Sequence, residues 1–444
     1  MVQRKGLDAG ILLLALLARL AVLYLALSGF FLVGEGEVQA NLAENILSGR
    51  GFMLSQSMMS NPDPRRDAAL EFFRETGGFY GALIPEKPTT FLVPGYAIFE
   101  ALIFMLTAPG NLNAVVTVQL LLGVLTVFAG MRLASRFLTG RWYAAAGLLL
   151  ALDPFQMYYE AIPATQALFS LLFVSGLLLS MRFLESPGLL RGALAGLMWA
   201  ITFMVRPAAL PMALWLVAVC MFSGRFSPGK LASAGLLIAV FFGSLVPWMA
   251  RNERTMGRWQ LLPLQGGVQM WEYNGRIFTD HFVDEQEGAR LLYQPVRNVW
   301  LGRLNKPELA EFPAFQGQGE FYRDSVLNQS QREFLLANPL VFLHLSACRF
   351  VEFFKPFPLN DFSLAHTVLG ILSFFWVGVF FAAGSIRLLK FGSEGVFLAG
   401  VIAGYILMHL LTASGTPHRV ALDPPLFIAS LVGLRYCVAR ARKA

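Results

Sequence analysis

Residues 9–33 read AGILLLALLARLAVLYLALSGFFLV, an almost unbroken apolar run. A helix needs about 20 consecutive apolar residues to cross ~30 Å of hydrocarbon. Runs near that length return at 115–129, 164–180, 231–250, 369–385 and 396–411. No soluble fold explains so many. The chain therefore reads as an all-α polytopic membrane protein, with roughly 10–12 spans expected from the apolar runs long and short.

Composition agrees. Of 444 residues, 56% are hydrophobic and 14% charged, against nearer a quarter charged in soluble domains. Three cysteines, Cys220, Cys348 and Cys437, lie in apolar stretches and leave at least one thiol unpaired, which argues against a disulfide framework. The net charge of +7 is not spread as a nucleic-acid surface would be. It gathers beside apolar runs: Arg4 and Lys5 before the first, Arg132, Arg136 and Arg141 in one short loop, and Arg435, Arg440, Arg442 and Lys443 at the end. Excess Lys and Arg beside spans marks cytoplasmic loops. The lipid bilayer is the partner this pattern implies, and nucleic acid is not. The run at 9–33 is too long for the apolar core of a signal peptide and is expected to be a retained span.

With Arg4 and Lys5 inside, residue 34 emerges on the outer face. Residues 34–90 are too polar to be embedded. Within them 37–47 reads as an amphipathic helix, because Val38, Leu42 and Ile46 recur at helical spacing. Such helices lie along the interface. The apolar stretch 91–107 is short and carries Pro94, Gly95 and Glu100. If it crosses, the Arg132–Arg141 cluster falls outside. If it is re-entrant, that cluster, the later basic loops and both termini fall inside, provided that 339–354 does not cross fully. The second arrangement satisfies the charge rule throughout and is preferred. It divides the chain into an N-terminal transmembrane catalytic module (1–250, with the first outer loop at 34–90), an outer-face loop (251–335) and a C-terminal transmembrane and interfacial segment (336–444).

Ionisable residues near a bilayer are functional candidates by default. Those expected at the outer surface are Glu35 and Glu37 after the first span, Lys87 before Pro88, Asp153 and Glu160 flanking the next outer turn, and Arg206, Arg251, His418 and Arg419 at outward ends of apolar runs. Carboxylates facing several cations suit the transfer of a group off an anionic lipid carrier. A carboxylate can take the acceptor's proton, and cations can meet charge gathering on a departing phosphate. Plainer roles fit the same residues. Glu37 also suits the solvated face of its helix, Asp153 a cap before Pro154, Arg206 and Arg251 snorkelling cations, and His418 a local hydrogen-bond donor. The five histidines show no metal-ligand spacing.

Five phrases stand in order along the chain: Gly34-Glu35-Gly36-Glu37 followed by Ala43-Glu44-Asn45-Ile46-Leu47-Ser48-Gly49-Arg50-Gly51-Phe52; Glu86-Lys87-Pro88 leading to Pro94-Gly95-Tyr96; Arg191-Gly192 running to Val205-Arg206-Pro207; Pro247-Trp248-Met249-Ala250-Arg251-Asn252; and Arg419-Val420-Ala421-Leu422-Asp423-Pro424-Pro425. Together they resemble the GT-C class of integral-membrane glycosyltransferases, which includes protein O-mannosyltransferases and aminoarabinose transferases. The resemblance covers about residues 10–430. It implies a GT-C-like helical bundle in the plasma (inner) membrane, a polyprenyl-phosphate-sugar donor, and a glycan, lipid or protein acceptor at the extracytoplasmic face, with inversion at the anomeric carbon. It implies Glu35 as general base with Glu37 as competitor, and Asp153 as the group orienting acceptor or base. Lys87, Arg251 and Arg419 would hold the lipid phosphate, with Glu160, Arg206 and His418 as further substrate contacts. Glu35 stands where relatives commonly have Asp, and Gln166 where many have Glu, so the second acidic position is open between Asp153 and Glu160. No cofactor is indicated, and a divalent metal is compatible with the class. A transporter or flippase, expected to show paired halves and broken midplane helices, and a non-catalytic scaffold of the same fold are the alternatives.

Overall fold

The computed structural model describes residues 2–27, 36–55, 87–274, 319–355 and 364–442. In chain order its helices are α1 (Val2–Leu27), α2 (Gly36–Leu47), α3 (Gly95–Leu106), α4 (Leu112–Ala134), α5 (Arg141–Ala151), α6 (Pro154–Glu160), α7 (Thr165–Glu185), α8 (Leu189–Val205), α9 (Leu210–Phe222), α10 (Pro228–Met256), α11 (Gly266–Asn274), α12 (Glu320–Ala337), α13 (Pro339–Phe354), α14 (Leu364–Leu388), α15 (Gly392–Leu411), α16 (Thr416–Arg419) and α17 (Asp423–Ala441). Among the described residues the extended structure is one antiparallel bridge, Met53 with Pro88.

Local chemistry sets the boundaries. Asn111 caps α4 by accepting from the Ala114 N–H at 3.1 Å, and Ser227 caps α10 ahead of Pro228 by accepting from the Lys230 N–H. Six helical stretches among the described residues are long and apolar enough to cross a membrane: Lys5–Leu27, Leu112–Ala134, Thr165–Glu185, Pro228–Met256, Phe374–Leu411 and Thr416–Ala441. The stretch Phe374–Leu411 holds parts of two helices, α14 and α15, of 25 and 20 residues, and further apolar runs form the shorter helices α3, α8 and α9. The run through 189–222 breaks at Arg206-Pro207 into α8 and α9. The run through 374–411 turns at Gly392, whose φ of +67° suits glycine.

The connections fall at two ends of the bundle. At one end Arg136 Nη1 meets Glu185 Oε1 at 2.6 Å and Glu394 Oε1 at 2.9 Å, tying the loops after α4, α7 and α14 together. The loop basic residues Arg132, Arg136, Arg141, Arg191, Arg225 and Lys390 belong to this end. At the other end lie α2, α6, α16 and the start of α12. The α3 helix starts beside Met204 at this second end. The chain is at the same end when α4 begins, because Gln119 Nε2 donates to the Glu160 and Ile162 carbonyls at 3.1 and 2.7 Å. Twelve residues give α3 a length of about 18 Å, well short of a crossing. This helix enters and leaves on one side.

Glycines bring helices into backbone contact. Gly192 and Gly196, four residues apart on α8, lie against the Ser233 and Leu237 carbonyls of α10, where a Cβ would overlap. Gly384 of α14 and Gly433 of α17 meet in the same way. Small residues at such spacing are how membrane helices approach closely. Gly196→Ala is expected to lower stability by about 1–3 kcal/mol through overpacking. Gly235→Ala, with nothing within 4 Å of the added methyl, is the neutral control. Thermal unfolding in detergent compares them, and equal melting of the two variants would refute close α8–α10 contact.

Candidate functional site

Two groups of candidate residues sit at the end opposite the basic loops. The first surrounds α6 and α16. Asp153 caps α6 through Oδ1, which accepts from the Phe155 N–H at 3.0 Å. Burial pushes its carboxyl up to about 6, while the Arg419 guanidinium and the α6 amides hold it down. Glu160 ends the same short helix, fully buried. Its carboxylate is matched by Arg19 of α1, with Nε 2.8 Å from Oε2 and Nη2 3.1 Å from Oε1. Burial pushes the Glu160 carboxyl up to about 7 against the opposing pull of Arg19. Gly123 of α4 leaves the space that this carboxylate fills.

Arg419 is wholly buried. Its Nε donates to Asp423 Oδ1 at 3.1 Å, and Nη1 donates to the carbonyls of Phe353 and Lys355 at 3.2 and 2.7 Å. The guanidinium lies over the Phe374 and Phe155 rings at 3.5 and 4.3 Å. Nη2 stays buried with no hydrogen-bond partner, as does Oδ2 of Asp423. Arg206 is half-buried at the turn between α8 and α9. It donates from Nε to Thr165 Oγ1 at 2.7 Å and from Nη1 to the Pro417 carbonyl at 3.0 Å. The His418 carbonyl accepts from the Tyr405 hydroxyl, and the His418 ring lies 4.7 Å from that of His409. Tyr159 and Thr416 share a 2.7 Å hydrogen bond that ties α6 to α16.

The second group surrounds the Met53–Pro88 bridge. Arg251 donates to the Thr89 and Phe52 carbonyls, both at 2.7 Å, with Trp248 beneath it. Thr90 donates its N–H to Glu320 Oε2 at 3.1 Å, which brings α12 onto the same loop. Asn41 and Asn45 of α2 hold the other strand through Ser55 and the Met53 carbonyl. Lys87 is exposed at the edge of this knot. Glu37 lies in the first turn of α2, and Glu35 lies outside the described residues.

Asp153, Glu160, Arg206, His418 and Arg419 are thus brought together, and Arg251 and Lys87 form a neighbouring cluster. The candidate list lacked Arg19 and Asp423, which complete the buried ion pairs. Arg19 had a readable signal, a lone charge inside the first apolar run. Asp423 had only its spacing of four from Arg419. Among the described residues no group of three or more His, Cys, Asp or Glu is placed to hold a metal.

The arrangement is that of a polytopic helical membrane protein with the GT-C fold. Solved structures of the archaeal oligosaccharyltransferase AglB from Archaeoglobus fulgidus have it. The form in complex with an inhibitory peptide and a dolichol-phosphate matches 98% of this chain at 14% identity, with a TM-score of 0.54. The apo form matches at 15% identity and 0.53, again over 98% of the chain. This chain spans about half the length of those proteins, 51% and 52% respectively. No protein-family model matches the chain, and no curated protein matches it in sequence. At this identity the likeness is one of fold.

Proposed function

We propose that the protein is a membrane glycosyltransferase that moves a sugar from a polyprenyl-phosphate donor to an acceptor at the extracytoplasmic face. The observation that carries the reading is the gathering of Asp153, Glu160, Arg206 and Arg419 at the bundle end opposite the basic loops. The fold supports it, since the AglB structure with this architecture was solved with a dolichol-phosphate and a peptide bound. Basic loops inside put the carboxylate end outside and both described chain ends inside.

In this reading Glu35, or Glu37 two residues on, takes the proton from the acceptor hydroxyl. The freed oxygen attacks the anomeric carbon as the bond to the phosphate oxygen breaks, and polyprenyl phosphate leaves. A single base and a good leaving group require no covalent intermediate, so the configuration inverts. Asp153 orients the acceptor or the base. Lys87, exposed, is the donor open to phosphate, and Arg419 acts on the site from its buried seat. Arg206, Arg251 and His418 shape the walls, and Glu160 holds α6.

The test is transfer from a synthetic polyprenyl-phosphate-sugar donor by the purified protein. Glu35→Gln keeps shape and removes the proton acceptor, so turnover is expected to fall at least ~100-fold, with donor binding nearly unchanged. Loss in Glu37→Gln instead moves the role two residues along. Full activity in both variants would sink the carboxylate-base mechanism.

A further inference from the structure

We propose that Arg19 is a positioning residue that fixes the corner carrying Asp153, an inference that rests on the transferase reading above. The α1 helix lies at the edge of the bundle. Leu13, Leu17, Leu20 and Tyr24 are exposed on it, while Ile11, Ala15 and Arg19 form a single inward seam at four-residue spacing. Arg19 is 1% exposed. Its guanidinium reaches both ends of one short corner. Nη1 donates to the carbonyl of Ala151, the last residue of α5, at 3.1 Å. Nε and Nη2 meet the carboxylate of Glu160, the last residue of α6, at 2.8 and 3.1 Å. Asp153 sits between these two anchors, at the cap of α6.

Other residues complete the clamp from the opposite side. Gln119 Nε2 binds the Glu160 and Ile162 carbonyls, and its Oε1 accepts from the Tyr96 hydroxyl at 2.5 Å. So α1 and α4 each send one polar side chain to α6 or its exit, and Tyr96 of α3 braces the one from α4. A plain docking pin for α1 would require nothing of Ala151, and an apolar side chain would serve as well. Replacing a buried ion pair by packed apolar residues is often neutral or stabilising, so stability alone does not account for this one. What the planar fork adds is geometry. One rigid group holds two points of the corner at once, which a lysine point charge cannot do.

Three proteins separate positioning from docking: wild type, the double variant Arg19→Met with Glu160→Leu, and Arg19→Lys. The double variant removes both charges, and its melting temperature in detergent is expected to stay near wild type. Its kcat is expected to fall by about 10- to 100-fold, the scale of a misplaced catalytic group, with KM for the lipid-linked donor within about twofold of wild type. Amide hydrogen exchange over 152–163 is expected to speed up at least tenfold while 189–205 is unchanged, as for a locally loosened unit. Arg19→Lys is expected to show the same split more weakly, and it carries the test if the double variant does not fold. Wild-type kcat in a double variant of unchanged melting temperature, or faster exchange confined to α1, overturns the proposal. A wild type that transfers nothing from the donor overturns the transferase reading instead. The exchange pattern then decides the positioning role by itself.

Discussion

Arg419→Ala is expected to yield little folded protein, a loss of about 3–5 kcal/mol, the cost of leaving one partner of a buried pair alone. Asp423 is 0% exposed, and one of its carboxylate oxygens already lacks a partner. Without Arg419 the other loses its 3.1 Å contact, and the Phe353 and Lys355 carbonyls lose their donor. The Phe374 and Phe155 rings lose the guanidinium between them. Arg419→Lys keeps the charge but cannot reach an acid and two carbonyls from one point or lie flat on a ring. It should melt lower than wild type, and above Arg419→Ala. Arg419→Met combined with Asp423→Leu removes both charges together and is expected to recover much of the loss. Fluorescence-detected size exclusion after a heating series reads all three. Wild-type melting of Arg419→Ala would show that this pair does not hold α13, α16 and α17 together.

A large effect on chemistry without a change in fold is also expected for Asp153→Asn. Asparagine caps helices about as well as aspartate, so the Phe155 N–H keeps its acceptor and α6 keeps its start. What disappears is the negative charge. Transfer is expected to fall at least ~100-fold, with melting unchanged. Asp153→Ala removes the cap as well and should cost about 1 kcal/mol of stability in addition. The pH profile gives a second view. With its carboxyl pushed up to about 6 by burial, Asp153 is roughly nine-tenths ionised at pH 7 and one-tenth at pH 5. Activity that needs the carboxylate is therefore lost as pH falls through about 6, and not near 4 as for an ordinary aspartate. The same shift makes the folded chain hold this proton more tightly than the unfolded one. Its contribution therefore favours folding fully below about pH 4, shrinks between 4 and 6, and is gone above that. Loss of activity on acidification is then not unfolding driven by this group. An Asp153→Asn variant with full turnover would leave Asp153 a cap and nothing more.

Run length alone made the helical membrane class legible, because crossing hydrocarbon demands long apolar segments whatever the fold. The short stretch 91–107 was legible too, since Pro94 and Gly95 start α3 late and leave it only about 18 Å long. The break at Arg206-Pro207 carried its own proline signal, and the turn at Gly392 depends on a glycine conformation that apolarity does not reveal. Asp153 and Arg419 were legible as charges at helix ends. Their partners were not, because pairing across the bundle depends on which helix faces which. Arg19 and Glu160 are 141 positions apart, and only the packing of α1 against α4 and α5 closes that gap. The same holds for Arg251. Its charge stood out, but the two carbonyls that occupy it lie 162 and 199 residues earlier.

The Arg19–Glu160 pair also has a consequence for the order of biosynthesis. Ribosomes add roughly 5–20 residues per second, so Arg19 enters the insertion machinery some 7–30 s before Glu160 is made. During that interval the first helix carries an unmatched guanidinium, which on insertion scales costs about 2.5–3.5 kcal/mol at mid-helix. The eleven Leu, Ile and Val residues between 11 and 27, at about −0.3 to −0.6 kcal/mol each, outweigh that cost, so the helix inserts but holds its guanidinium unmatched. Its final seat is expected only when α4, α5 and α6 arrive with the carboxylate. Truncated nascent chains ending before residue 160 should therefore crosslink to the insertase from positions beside Arg19, and chains a few tens of residues longer should lose that crosslink.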